Sequence, residues 1–138
     1  MNIEQIFANT SNIAVIGLSK NELRDSYQVS AYMRNVGYNI IPINPTIDSV
    51  MGEKSHSNLK SIPENILKNI ELVNVFRKSE FIQEILNEVI EINKKYQKIH
   101  TVWMQLGIFY EEAEKISEEN KLNIITNKCI KIEHAKLN

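Results

Sequence analysis

The hydrophobic residues of this chain occur in short runs that alternate with longer segments of helical spacing. Runs of strand length lie at about residues 13–17, 38–43, 71–76, 99–104 and 122–126. Apolar runs of this length are typical of strands whose sheet is covered on both faces, and crossover helices provide that cover. The pattern therefore predicts an α/β fold with a mainly parallel sheet and helices on both faces.

The segments between these runs predict the main helices, at about residues 26–36, 79–96 and 109–120. Ser79 is a candidate N-cap for the second of these helices, because a serine hydroxyl accepts a hydrogen bond from the first free amides of a helix. The apolar residues of this helix fall on one side and its glutamates on the other, so one face should be buried. Short helices at about 2–9 and 128–136 would cover the ends of the chain.

Residues 44–65 contain prolines and a glycine and are predicted to form a loop, in which Glu53 to Ser57 could add a short edge strand. With that strand, the alternation is typical of a Rossmann-like, doubly wound sheet with the strand order 3-2-1-4-5-6. The sequence contains no linker, repeat or low-complexity block, so residues 1–138 are predicted to form one domain.

In such a sheet a crevice opens where the winding reverses, beyond the carboxyl ends of the first and fourth strands. Here those ends are Gly17-Leu18-Ser19 and Phe76-Arg77, which are distant in sequence but would meet at one rim. Asn44-Pro45 follows the second strand and Gln105 follows the fifth, on the same rim. These residues are therefore the candidate ligand contacts.

The turn after the first strand has the features of a phosphate-binding site. The helix near Ser26 presents backbone amides without intrahelical partners, and Arg24 just before it offers a bidentate donor fork. We therefore expect a diphosphate at Gly17 to Ser19, at Arg24 and at the amides of Ser26 and Tyr27. Each residue also has a purely structural alternative, which is close packing for Gly17, a solvated charge for Arg24, an N-cap for Ser26 and helix packing for Tyr27.

The usual dinucleotide fingerprint, G-x-G-x-x-G, is incomplete in this turn. Gly17 is followed by Ser19, and the next glycine is Gly37. The second strand ends in Asn44-Pro45 rather than in the acid that holds a ribose hydroxyl. An NAD site is therefore disfavoured, while a longer turn with an arginine is compatible with another diphosphate nucleotide.

Composition narrows the classes of partner. The net charge is −1, with 16 Lys and Arg and 17 Asp and Glu spread along the chain, so the concentrated basic surface of unspecific nucleic-acid binding is not expected. No apolar run approaches the roughly 20 residues that cross a bilayer, and the first residues do not resemble a signal peptide. Because Cys129 is the single cysteine, a reducing, cytoplasmic location is expected.

The groups that usually carry catalysis or bind metals are poorly arranged. His56, His100 and His134 lie far apart and form no ligand cluster with Cys129, so no metal site is expected. Cys129 and His134 could in principle act as nucleophile and base, but their separation on a helix gives poorly matched angles. No catalytic residue is assigned, and the chain is more consistent with a binding protein than with an enzyme.

Six blocks of the sequence occur in a specific order and spacing between about residues 10 and 137, namely AVIGLS, LRDSYQVSAYM, GYNIIPINP, VNVFRKSEF, VWMQLGI and CIKIEHAKL. They resemble the small single-domain CoA-binding proteins, which are similar to the CoA-binding domain of succinyl-CoA synthetase alpha chains and of ADP-forming acyl-CoA synthetases. The resemblance implies a Rossmann-like fold that binds coenzyme A through its ADP and diphosphate, with Asn44-Pro45 lining the adenosine part of the site. It implies no established catalytic activity.

This chain departs from the family in the turn, where family members often have prolines in the form N-P-x-R-P-S. Here the turn is Asn21-Glu22-Leu23-Arg24-Asp25-Ser26, which keeps the arginine and the serine. The turn is less stiff without the prolines, and Asp25 places a negative charge near the proposed phosphates. We therefore expect weaker phosphate binding than the family pattern implies.

The leading hypothesis is a binding module that holds coenzyme A or an acyl-CoA. One alternative is a nicotinamide-nucleotide oxidoreductase, and another is a subunit of a CoA-dependent transferase or ligase whose catalytic residues come from a partner chain. A third is a redox role in which Cys129 forms a mixed disulfide with the coenzyme thiol. A homodimer and a complex with another protein are both compatible with the sequence.

Overall fold

The computed structural model describes residues 1–137, and its centre is a five-stranded parallel sheet. The strands of the chain are β1 (Asn12–Ile16), β2 (Asn39–Ile43), β3 (Ser49–Val50), β4 (Glu53–Lys54), β5 (Leu72–Val75), β6 (Thr101–Met104) and β7 (Asn123–Ile125). The parallel sheet has the order β2-β1-β5-β6-β7, while β3 and β4 form a separate hairpin. Winding therefore reverses between β1 and β5, and the predicted Rossmann-like, doubly wound fold class is confirmed.

The edge strand expected at residues 53–57 is reduced to a single pairing. Only His56 bridges to Ile43 of β2, in parallel orientation. The chain turns back on itself through Met51 and Gly52, which both have positive φ, and this turn forms the β3–β4 hairpin instead. The five strands of the parallel sheet have the predicted relative order. At the position predicted for a sixth strand, the structure has the bridge between His56 and Ile43.

The helices are α1 (Ile3–Ala8), α2 (Asp25–Asn35), α3 (Glu64–Leu67), α4 (Ile82–Tyr96), α5 (Ala113–Asn120) and α6 (Ile130–Ala135). Helix α4 buries one face through Ile82, Leu86, Val89 and Ile92, as its apolar spacing predicts. Within residues 1–137, no helix has the length and the apolar character that crossing a bilayer requires.

Ser79 is not the N-cap of α4. A 3-10 turn, Ser79–Phe81, precedes the helix, and the hydroxyl oxygen of Ser79 accepts a hydrogen bond from the Phe109 amide at 3.0 Å. The serine therefore ties the start of this segment to the loop after β6. The Phe109 amide therefore binds the hydroxyl that local preference would assign to capping.

The strands place alternate side chains into two hydrophobic cores, one on each face of the sheet. From β1, Ala14 and Ile16 belong to the core that α4 covers, whereas Ile13 and Val15 belong to the core that α1, α2 and α6 cover. Burial on both faces explains why successive positions in each run are apolar. The helices thus cover both faces and leave the carboxyl ends of the strands to form the site.

Candidate functional site

The carboxyl ends of β2, β1 and β5 lie side by side. Ile16 at the end of β1 is in register with Ile43 on one side and with Val75 on the other. The Gly17 amide donates a hydrogen bond to the Ile43 carbonyl at 2.8 Å, and the Phe76 amide donates to the Ile16 carbonyl at 2.9 Å. The structure therefore brings together the strand ends that the topology predicts at the crevice.

Gly17 is required by the neighbouring backbone. Its φ is +87°, in the region that residues with side chains rarely adopt. A Cβ atom at this position would lie 2.7 Å from the carbonyl oxygen of Phe76 and 3.4 Å from Cδ of Arg77. A side chain would thus meet the chain after β5. Close packing is enough to require a glycine here, and the contact of Gly17 with a diphosphate stays a prediction.

Hydrogen bonds from side chains hold the turn between β1 and α2. Leu18 is fully buried, and its carbonyl oxygen accepts from Nδ2 of Asn44 at 3.0 Å. The Ser19 amide donates to Oγ of Ser26 at 2.9 Å, and Oγ of Ser19 accepts from the Asn21 amide at 3.0 Å. Leu18, Ser19, Ser26 and Asn44 therefore shape the turn itself.

Ser26 is not the N-cap of α2. The helix begins at Asp25, and Arg24 occupies the cap position with extended backbone and no side-chain cap bond. Ser26 is buried at the second helical position, and its hydroxyl faces back to Ser19. The preference of serine for N-cap positions predicted that Ser26 is the cap, but its hydroxyl oxygen accepts a hydrogen bond from the Ser19 amide instead.

The first amides of α2 fall into two groups. The amides of Tyr27 and Gln28 both donate to the Arg24 carbonyl oxygen at 3.1 Å. Within residues 1–137, the amides of Asp25 and Ser26 have no acceptor. An anion placed before α2 would therefore meet the amides of Asp25 and Ser26 first, because the Tyr27 amide already has an acceptor within the turn.

A cavity of about 560 Å³ lies at the carboxyl ends of β5 and β6, between α2 and α6. Its volume falls in the range of about 300–1,000 Å³ that is usual for small-molecule sites. The charged residues in its wall are Asp25, Arg77, Lys78 and Lys131. Because three cations face one anion in a chain of net charge −1, this cavity is a locally positive part of the molecule.

The rest of the wall is mainly apolar. The residues of this part are Gln28, Val29, Phe76, Gln105, Leu106, Ile108, Cys129 and Ile132. Phe76, Arg77 and Gln105 are thus the predicted site residues that line the cavity. The main residues that sequence reasoning missed are Lys78, which directly follows Arg77, and Lys131, which the packing of α6 brings close, whereas Leu106 lies next to Gln105, which the sequence already places at this rim.

The eight remaining predicted contacts do not line this cavity, and Arg24, Tyr27 and Pro45 also lie outside the side-chain hydrogen bonds that hold the turn. Arg24 is exposed and lines neither this cavity nor the smaller one beside it. Tyr27 is half-buried and packs against the second core. Pro45 is exposed after β2, and Asn44 beside it accepts a hydrogen bond from the Thr46 amide at 3.0 Å. Asn44-Pro45, which the family resemblance assigns to adenosine, therefore belongs to a turn that the Asn44 side chain stabilises.

Gln105 connects the cavity floor to its neighbours. It is 4% exposed, and its Nε2 donates to Oδ1 of Asn74 on β5 at 2.6 Å. Its Oε1 accepts from the Ile130 amide at the start of α6, at 3.4 Å. Gln105 therefore lines the cavity while its amide group holds β5, β6 and α6 together.

A smaller cavity of about 270 Å³ lies on the α4 side of Arg77. Its wall includes Ile43, Asn58 and Phe81 as well as Arg77, which lines both cavities. The guanidinium carbon of Arg77 lies 4.1 Å from the centre of the Phe81 ring, in a cation–π contact. Arg77 thus stands between two cavities at the point where the winding of the sheet reverses.

The histidines and the cysteine do not form a catalytic group. His134 is hydrogen-bonded through Nδ1 to the Tyr32 hydroxyl at 2.9 Å, and in the described residues no hydrogen bond joins it to Cys129. Burial, with a smaller effect from Lys54, lowers the pKa of His56 below its ordinary value. Residues 1–137 contain no group of three His, Cys, Asp or Glu side chains that could hold a metal ion.

Comparison with known proteins connects this geometry to a family. A family model described as a CoA binding domain matches residues 11–135. The protein YneT of Bacillus subtilis (strain 168) is 39% identical over 133 residues, which cover 96% of this chain and 92% of that protein. A solved structure, a hypothetical protein from Pyrococcus horikoshii OT3, is 30% identical with a TM-score of 0.86, and the match covers 99% of this chain and 89% of that one.

A larger protein contains the same fold as one part of its chain. The dinucleotide forming acetyl-coenzyme A synthetase 1 of Ca. Korarchaeum cryptofilum is 20% identical with a TM-score of 0.69, and the match covers 89% of this chain and 26% of that one. The family match itself extends from the residue before β1 to the end of α6, and it therefore includes every strand end that forms the crevice. The chain belongs to the CoA-binding domain family that its six sequence blocks resemble.

Proposed function

We propose that this protein is a single-domain, non-catalytic binder of coenzyme A, which it holds through the ADP and diphosphate of the ligand. The observation that carries the proposal is the position of Arg77, which lies between two cavities at the reversal of the sheet. A guanidinium fork at that point suits the oxygens of a diphosphate, and family membership supports the choice of coenzyme A among diphosphate nucleotides.

The diphosphate would lie between Arg77, Lys78 and the free amides of Asp25 and Ser26. The nucleotide part would extend toward the smaller cavity, where Ile43 and the Phe81 ring offer apolar surface. The pantetheine arm would enter the larger cavity along Phe76 and Gln105. This placement moves the phosphate contacts from Arg24 and Tyr27, which the sequence favoured, to groups that line the crevice.

The Nδ1 atom of His134 is hydrogen-bonded to the Tyr32 hydroxyl, so the structure offers no support for a nucleophile and base formed by Cys129 and His134. A catalytic role would need residues from a partner chain, and copurification of such a chain with the protein would favour that alternative. The single free cysteine is consistent with a reducing, cytoplasmic location.

The test is thermal unfolding of the protein with coenzyme A or NAD at equal concentration. A ligand that binds only the folded state stabilises it by about 2.7 kcal/mol at a concentration of 100 times its dissociation constant. Coenzyme A should therefore raise the melting temperature by several degrees. NAD should not, because the turn after β1 lacks the second and third glycines of the dinucleotide fingerprint.

ADP alone serves as a ligand control, since it shares the diphosphate and the adenosine but has neither the pantetheine arm nor the 3′-phosphate of coenzyme A. It should protect the protein less than coenzyme A does. Equal protection by NAD and coenzyme A would contradict the proposed ligand, and protection by neither would contradict nucleotide binding.

A further inference from the structure

The larger cavity has a charged part and an apolar part, which come from different elements. Asp25, Arg77 and Lys78 come from the start of α2 and from the chain after β5. Leu106 and Ile132 come from the loop after β6 and from α6, on the far side of the cavity along the sheet order β1-β5-β6. A ligand that fills the cavity from α2 toward α6 therefore passes from charged to apolar surroundings.

The far wall presents aliphatic side chains to solvent. Leu106 is 62% exposed and Ile132 is 49% exposed, although both line the cavity. The buried side chain of Ile108 and the half-buried Cys129 continue this surface inward. Grouped, exposed aliphatic side chains at the rim of a cavity are typical of a surface that a ligand covers.

The one charged residue on this side of the cavity is directed to an aromatic ring. The ammonium nitrogen of Lys131 lies 5.6 Å from the centre of the Tyr32 ring, on helix α2. A contact of this kind contributes only about 0.5–1 kcal/mol at an exposed site, so the ammonium remains able to turn toward a ligand. The preference of this wall for an apolar group therefore comes from its aliphatic side chains and not from Lys131.

We propose that the wall formed by Leu106, Ile108, Cys129 and Ile132 holds the acyl chain of an acyl-CoA, so that the preferred ligand is an aliphatic thioester rather than free coenzyme A. This inference rests on the proposed function, because the wall continues the cavity in which the coenzyme would lie. The acyl chain is the part of an acyl-CoA that follows the pantetheine arm, so it would lie at the far end of the cavity from a diphosphate bound at Arg77.

The size of the preference follows from burial of the chain. Each methylene that leaves water contributes roughly fourfold in affinity. Affinity should therefore rise along the series of free, acetyl-, butyryl- and hexanoyl-coenzyme A, and level off when the chain fills the wall. A phosphine reductant in the buffer keeps Cys129 and the coenzyme thiol reduced, so that no mixed disulfide contributes to the measurement.

The test is calorimetric titration of this series into the parent protein and into the variants Leu106→Ser and Ile132→Ser. Both side chains are largely exposed, so the variants should fold. They should lose most of the gain with chain length, measured relative to the affinity of the same variant for free coenzyme A. Ile66→Ser is the matched control, because Ile66 is also exposed but lies outside this cavity.

The outcomes separate the two proposals. A rising series in the parent that flattens in Leu106→Ser and Ile132→Ser, but not in Ile66→Ser, supports the acyl wall. Equal affinity for free and acylated coenzyme A, or tighter binding of the free form, overturns the acyl wall and leaves the proposed function standing. No binding of any member of the series overturns the proposed function itself.

Discussion

At the scale of single residues, Arg77 is the group on which ligand affinity should depend most. Replacing it in Arg77→Ala removes a charged donor from both cavities, and a hydrogen bond to a charged group contributes about 1.5–3 kcal/mol. Titration of coenzyme A should therefore show a loss of that size. The variant should stay folded, since the contact with the Phe81 ring contributes only about 0.5–1 kcal/mol.

Arg24→Ala is the matched control for this measurement. Arg24 carries the same charge, but it is exposed and lines neither cavity, so its loss should weaken binding by less than about 1 kcal/mol. A larger loss for Arg24→Ala than for Arg77→Ala would place the diphosphate in the turn after β1, as the sequence pattern alone indicates.

Gly17 should affect stability, because of its close approach to the chain after β5. In Gly17→Ala the new methyl group would lie 2.7 Å from the Phe76 carbonyl oxygen, and the backbone shift that relieves such overpacking costs about 1–3 kcal/mol. The left-handed φ adds roughly 1–2 kcal/mol. Urea unfolding of the variant should show the sum of both costs.

Gly52→Ala separates the two costs. Gly52 has a similar φ of +76°, but a Cβ atom there would meet no atom within 4 Å. Its variant should lose only the backbone part. Equal loss of stability in both variants would mean that the contact with Phe76 relaxes without cost.

At the scale of elements, Gln105 joins β5, β6 and α6 through one side chain. Gln105→Leu would leave Oδ1 of Asn74 and the Ile130 amide without their partners, and each buried polar group without a partner costs about 1–3 kcal/mol. The free energy of unfolding should therefore fall by at least the cost of one such group, about 1–3 kcal/mol. The double variant Asn74→Ala with Gln105→Leu should lose less free energy of unfolding than the two single variants lose together, because both single variants break the same hydrogen bond.

The elements show how much of the fold the sequence can predict. The parallel strands are predictable because burial on both faces makes each run apolar, and such a run is visible in the local sequence. The predicted N-caps Ser26 and Ser79 are wrong, because their hydroxyls accept from the amides of Ser19 and Phe109, which lie 7 and 30 residues away in the chain. Capping preference is a local property, and here tertiary partners override it.

The edge of the sheet shows the same limit. Alternation of polar residues favoured a strand at residues 53–57, but Met51 and Gly52 form a turn that pairs β4 with β3. Pairing within a hairpin brings together residues close in sequence, so its closure costs less than a long-range pairing with β2. The competing partner of β4 is β3, in which Val50 pairs with Glu53 only three residues later in the chain. The apolar pattern does not distinguish this pairing from a pairing with β2.

At the scale of the whole molecule, topology predicts the place of the site better than its contacts. The reversal of winding brings Gly17 and Phe76 to one rim, which followed from the order of strands alone. The position of Lys131 depends on how α6 packs over β6, and no periodicity in the sequence contains that information. The charged and apolar parts of the cavity could therefore be recognised only in three dimensions.

The distribution of charge over the molecule leads to the last prediction. The chain carries a net charge of −1, so its overall field does not attract an anionic nucleotide, and attraction must come from the local cations of the cavity. The screening length falls from about 10 Å at 0.1 M salt to about 3 Å at 1 M. The affinity for coenzyme A should therefore fall over this range of salt concentration.

Two variants in the cavity should move this affinity in opposite directions. Lys78→Ala removes an attractive charge and should weaken binding at low salt, whereas Asp25→Asn removes a repulsive charge and should strengthen it. Both differences should shrink at 1 M salt, because the charges are then screened. Lys94→Ala, which removes an exposed cation on α4 paired with Glu91, should bind like the parent at every salt concentration. If Asp25→Asn binds more weakly than the parent, the Asp25 carboxylate contributes to binding, and the diphosphate does not lie against the start of α2.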